Sequence, residues 1–84
     1  MEAGDQVVPL GTLPPGETGT IIDLAGGRRF VARCLALGCT PGTQVKMERN
    51  AGRGPVIVKV RGARLALGRG ESMRLRVRRW EPKP

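Results

Sequence analysis

The stretch Gly27-Arg-Arg-Phe-Val-Ala-Arg-Cys-Leu-Ala-Leu-Gly-Cys-Thr-Pro-Gly-Thr-Gln-Val45 decides the fold. Phe30, Val31, Cys34 and Leu35 recur at i, i+1, i+4 and i+5, one apolar stripe at helical period. They are the expected plug of a core, with Arg28, Arg29 and Arg33 left for the wetter side. Gly38 stands where a left-handed residue closes a helix, and Pro41 prevents its continuation. The predicted helix has about two and a half turns at roughly 3.6 residues each. A helix that short is marginal in water and needs a sheet to pack on. Leu37 falls off the stripe and is expected to be partly exposed.

The flanking residues supply the sheet. Residues 1–9 show no periodicity and read as a flexible lead-in. Leu10 and Leu13 precede the turn Pro14-Pro15-Gly16. Glu17–Leu24 is a strand rich in β-branched residues, and Ala25-Gly26-Gly27 breaks it. Thr43–Arg49 alternates, with Val45 and Met47 inward. Val56–Val60 and Ala63–Leu67 are two strands joined at Arg61-Gly62. Gly68–Ser72 turns, and Met73–Val77 alternates apolar residues with arginine before the phase reverses at Arg79 and Trp80, which predicts a bulge or a strand end. Residues 81–84 read as a disordered tail. About five strands and one short α-helix between residues 10 and 80 suit a small, mainly β, partly open barrel.

At 84 residues the chain is one domain with a thin core. Phe30 and Trp80 are its only aromatics, so that core is aliphatic. No apolar run is long enough to span a bilayer, and the N-terminal residues lack a secretory pattern, so a cytoplasmic location is expected. Charge is lopsided. Residues 1–27 hold four acids and no Lys or Arg, a net of −4, whereas residues 28–84 hold all 15 basic residues and a net of +12. The excess implies an acidic partner, be it nucleic acid, an anionic leaflet or an acidic protein face. Equally, twelve arginines on strand exteriors would simply keep a small β domain soluble.

The chemistry that is missing narrows the function. With no histidine, the commonest general base and metal ligand is gone. No phosphate-cradling loop opens a helix, and Gly52-Arg-Gly and Gly68-Arg-Gly read as turns. No enzyme is expected. Cys34 and Cys39 cannot close a structural zinc site by themselves and read as small buried apolar side chains. Glu17, Asp23 and Glu48 are weak surface candidates for a divalent ion, and no cofactor is required.

Arg33-Cys-Leu-Ala-Leu-Gly-Cys-Thr-Pro-Gly-Thr-Gln-Val45 resembles the Arg-Leu-Leu-x-Leu-Gly-Leu-x-Pro-Gly-Thr-x-Val signature of FeoA domains. Leu10-x-x-Leu13 before Pro-Gly, Pro-Val-x-Val-x-Val at 55–60, Ala66-Leu67 and Leu75-x-Val77 extend the match over residues 10–77. Cys34 and Cys39 replace aliphatic residues of that pattern. The resemblance implies an SH3-like barrel that serves the FeoB ferrous-iron transporter, a membrane protein with a GTPase domain. On this reading Fe2+ is the cargo of the partner system and the chain itself is a non-enzymatic adaptor. Leu37, together with Met47 or Leu67, is expected to line a partner groove, and Arg49, Arg53, Arg61 and Arg64 to meet the acidic side of that contact. The alternative is a small basic barrel that binds nucleic acid, supported by net charge and the Arg-alternating strand but short of aromatic stacking platforms. Peripheral contact with an anionic membrane and a weak homodimer through strand edges are secondary expectations.

Overall fold

Alternation in the sequence becomes a single six-stranded antiparallel sheet in the computed structural model, which describes residues 6–79. Residues 1–5 and 80–84, and with them the tail reading and the phase change at Trp80, lie outside the described residues. The strands are β1 (Val7–Pro9), β2 (Thr18–Leu24), β3 (Gln44–Arg49), β4 (Val56–Val60), β5 (Ala63–Leu67) and β6 (Leu75–Arg79). Helix α1 spans Arg28–Ala36, a 3₁₀ turn spans Leu10–Thr12, and the short α2 spans Arg69–Ser72. The spatial order is β1-β6-β2-β3-β4-β5.

One residue in two along each strand points into a common core. Ile21, Val45, Met47, Val56, Val58, Val60, Leu67, Leu75 and Val77 form one cluster with Leu10, Leu13, Phe30, Cys34 and Cys39. A flat sheet could not bring its outer strands into one cluster, so the sheet curls around its inward face. Closure between the two edges is made by polar groups. Arg69, at the start of α2 after β5, donates from Nη1 to the Gly11 carbonyl at 2.9 Å, and Asn50 Nδ2 donates to the carbonyls of Gly11 and Leu13 at 2.9 and 2.8 Å. Gly11 is required at this seam, because a Cβ there would lie 2.5 Å from Ser72 Oγ.

Four features depart from the sequence reading. The chain enters the sheet before residue 10: Val7–Pro9 pairs with β6, so the lead-in placed at 1–9 already contains a strand. Its proline is tolerated because β1 is an edge strand. The 68–72 turn contains a helical turn, with the Gly68 N–H donating to Glu71 Oε1 at 3.0 Å. Met73 is exposed and precedes β6 rather than opening it. Register shifts between Ile21 and Asp23 and between Met47 and Arg49, bulges that bend β2 and β3.

The α1 stripe is narrower than its sequence implies. Phe30 and Cys34 are buried and Val31 is half-buried, but Leu35 is 46% exposed. At about 100° per residue, Leu35 stands about 140° around the helix from Phe30, too far for one seat to bury both. Helix α1 ends in a Schellman motif: the Cys39 N–H donates to the Cys34 carbonyl at 2.8 Å, and the Gly38 N–H to the Leu35 carbonyl at 3.1 Å. Gly38 supplies the left-handed residue at φ 89°. Cys34 and Cys39 occupy the two positions whose apolar contact accompanies this motif, and both are buried as free thiols. Burial pushes the Cys34 thiol up to about 11, with Cys39 adding to the rise.

Candidate functional site

Burial divides the sequence candidates into two groups. Met47 and Leu67 are 0% and 1% exposed, so neither lines a surface groove. Strict alternation in β3 and β5 turns both inward. Leu37 is 48% exposed. It is the C-cap of α1: its N–H still donates to the Arg33 carbonyl at 3.1 Å, and its φ of −92° and ψ of 3° turn the chain off the helical path after it. Two residues beyond Leu35, it stands about 160° around the helix axis from that leucine.

The four arginines proposed for the acidic contact do not converge. Arg49 and Arg64 share a shallow depression of about 340 Å³ with Glu48 and Ile57. Arg64 Nε donates to Glu48 Oε1 there at 2.8 Å. Arg53 lies in the β3–β4 loop. Arg61 is in the β4–β5 turn at φ 51°, the one described non-glycine residue with a positive φ. Its guanidinium explains the conformation, since Nε donates to the Gly38 carbonyl at 3.3 Å and Nη2 to Thr43 Oγ1 at 3.4 Å. A cation at the C-terminus of a helix complements the partial negative charge there. Arg61 therefore holds the end of α1.

The carboxylates considered for metal binding are separated, each against its own guanidinium. Arg79 bonds both oxygens of Glu17, at 3.1 and 3.0 Å. Arg76 grips Asp23 in the same two-pronged way, and that hydrogen bond holds the Asp23 carboxyl below its ordinary range. Glu48 has Arg64. Among the described residues no group of three or more His, Cys, Asp or Glu side chains gathers. These pairs also occupy two arginines of the Arg-alternating strand, Arg76 and Arg79. Phe30 is buried, so it offers no stacking face.

A depression of about 450 Å³ lies beside Arg61 between Thr18, Thr43, Lys46 and Lys59, and two other surfaces stand apart from it. One is a loop groove of about 720 Å³ between the Gly11–Pro15 wall, the Asn50–Gly52 loop, Arg69 and Met73. Its polar floor is saturated: Arg69 donates to Gly11 and Gly54 carbonyls and to Asn50 Oδ1, which also accepts from the Gly52 N–H. The other is the end of α1, where Leu35 and Leu37 are exposed inside the signature segment. Arg33, on the flank of α1, bonds Glu71 Oε2 at 2.7 Å and the Ala66 carbonyl at 3.3 Å, tying α1 to β5 and α2. No sequence pattern marked Leu35 as exposed, because periodicity cannot tell how wide a seat the sheet offers. Among the described residues no helix is long and apolar enough to cross a membrane.

Comparison with known proteins agrees with this architecture. The model of the FeoA domain matches residues 8–79. A protein of Methanocaldococcus jannaschii, provisionally named Fe(2+) transport protein A, is 32% identical over 69 residues, covering 82% of this chain and 83% of its own. The crystal structure of an iron uptake regulatory protein, FeoA, superposes with a TM-score of 0.83 at 33% identity, covering 89% of this chain and 100% of that one. Stenotrophomonas maltophilia FeoA, solved with zinc and described as a prokaryotic SH3 domain protein and a candidate ferrous-iron transport activating factor, gives a TM-score of 0.69 at 29% identity over 81% of this chain and 86% of its own. A mainly β barrel, an SH3-like relative and a family match over nearly all of the described residues lead to one conclusion: this chain belongs to the FeoA family.

Proposed function

We propose that this protein is a non-enzymatic, SH3-like adaptor that docks on the cytoplasmic, GTPase-bearing part of a FeoB-type transporter and so supports Fe2+ uptake from the cytoplasmic side. The observation that carries the reading is the pair of half-exposed leucines, Leu35 and Leu37, inside the very segment that bears the family signature. Aliphatic side chains held at the surface by a rigid cap serve recognition better than catalysis, and exposed apolar groups rimmed by polar ones mark protein contacts. The role needs no resident cofactor, since iron is the partner's cargo. The names of the relatives, drawn from Fe2+ transport and its activation, support the same assignment.

Calorimetric titration against the soluble cytoplasmic region of the transporter tests it. Run at about 50 and 200 mM salt beside a random RNA, it separates the adaptor from the nucleic-acid reading, because phosphate-driven binding collapses across that range. Saturable transporter binding that survives the higher salt is expected. Binding to RNA alone would overturn the proposal.

A further inference from the structure

Helix α1 (Arg28–Ala36) meets the barrel through Phe30 and Cys34, with Val31 half-buried beside them. Its other face is open. Arg28, Ala32 and Leu35 recur at i, i+4 and i+7 and therefore form one stripe, flanked by Arg29 and Ala36. All five are exposed. The stripe runs about 10 Å at roughly 1.5 Å per residue. Its C-terminal end, at Leu35 and Ala36, is apolar, and its N-terminal end is basic.

That basic end is misplaced for a helix acting alone. The N-terminus of a helix carries a partial positive charge and favours carboxylates. Helix α1 has no acidic residue in its first turn, and its N-cap, Gly27, offers no side chain. Arg28 and Arg29, like Arg49, Arg53 and Arg74, have no ion-pair partner among the described residues, whereas Arg33, Arg64, Arg76 and Arg79 each have one. The fold thus leaves unpaired the two guanidiniums that its own helix dipole opposes.

We infer that the outer face of α1 is the seat of an acidic amphipathic helix of the partner protein, an inference that rests on the adaptor reading and assigns it a surface. The methyl groups of Ala32 and Ala36 allow a second helix to approach closely, in the manner of ridges packing into grooves. Leu35, with the Ala32 and Ala36 methyls beside it, receives its apolar residues, and Arg28 and Arg29 face its carboxylates about two turns away. One leucine and two alanine methyls on the outer face of a nine-residue helix are little apolar area for lasting insertion into lipid. A complementary helix satisfies both ends of the stripe at once.

Binding of four full-length proteins to the soluble cytoplasmic region of the transporter tests the inference, with vesicles of 3:1 phosphatidylcholine to phosphatidylserine in parallel. They are the wild type, Leu35→Glu, Arg28→Glu with Arg29→Glu, and Ala51→Glu in the loop groove as a control. All changed residues are exposed, and thermal unfolding checks that each variant is folded. A loss of at least about tenfold in both α1 variants, corresponding to about 1.4 kcal/mol, with Ala51→Glu unchanged is expected. Loss confined to Ala51→Glu would overturn the inference while leaving the adaptor reading standing. Wild-type binding to vesicles alone, abolished by the α1 changes, would replace the helix with a lipid surface. Failure of the wild type to bind either would overturn the adaptor reading and the inference together.

Discussion

The loop seam around Asn50 and the outer face of α1 are both rich in side chains able to bind something, yet the fold treats them in opposite ways. At the seam, Arg69 directs its guanidinium to two backbone carbonyls and Asn50 Oδ1, and Asn50 makes four hydrogen bonds. On α1, Arg28 and Arg29 have no ion-pair partner among the described residues and Leu35 stands half in water, as does Leu37 at its cap. The difference teaches that net charge is a poor guide to function in a chain with twelve arginines. A guanidinium bonded on every side is a fastener, and only the remainder is available to a partner.

The comparison breaks most readily at the leucines. Leu67→Glu places a carboxylate in the sealed core and is expected to unfold the domain, a loss of more than about 4 kcal/mol. Circular dichroism melts would show no cooperative transition. Phe30→Ala removes the main seat of α1 and is expected to cost about 3 kcal/mol in urea unfolding, the usual scale for emptying an aromatic site. Asn50→Ala strands the Leu13 carbonyl and removes the acceptor of Arg69 Nη2 and the Gly52 N–H, while Gly11 keeps its bond from Arg69, with an expected loss of about 2 kcal/mol by the same measurement.

A smaller effect is expected at alkaline pH. The Cys34 thiol is pushed up to about 11 by burial, above its unfolded value, so the folded state favours the protonated form. That contribution is complete below the unfolded value of about 9 and is lost as pH rises towards about 11. Urea midpoints should therefore fall across this window, and less steeply in Cys34→Ala relative to its own neutral-pH stability. The smallest effect belongs to Leu37→Glu, which should change stability by no more than about 0.5 kcal/mol while weakening transporter binding. A collapse of the melt in that variant would show that Leu37 belongs with Leu67 and not with Leu35.

How far the sequence reached depended on how much each element states locally. Val56, Val58 and Val60 sit on one face by simple alternation, and β4 and β5 have the bounds that alternation assigns. Gly38 and Pro41 stopped the helix where the Schellman motif closes it. The resemblance at residues 33–45 identified the family. Strand β1 was illegible because three residues ending in proline carry no period, and its existence depends on β6, far along the chain. The bulges at Ile22 and Glu48 were hidden for the same reason, since a bulge is a relation between two strands. The site was the least legible part. Whether Leu35 is buried depends on the width of its seat, and whether Arg61 is available depends on a carbonyl at Gly38.

Amide chemical-shift mapping tests the central claim most directly. Isotope-labelled protein would be titrated with the unlabelled cytoplasmic region of the transporter at about 200 mM salt, where loose electrostatic contacts are suppressed. The account predicts saturable shifts concentrated at residues 28–37, extending to Arg61 and Gly62, with residues 11–13 and 50–54 unmoved. Shifts gathered instead around the loop groove, or no shifts at saturating partner, would contradict it.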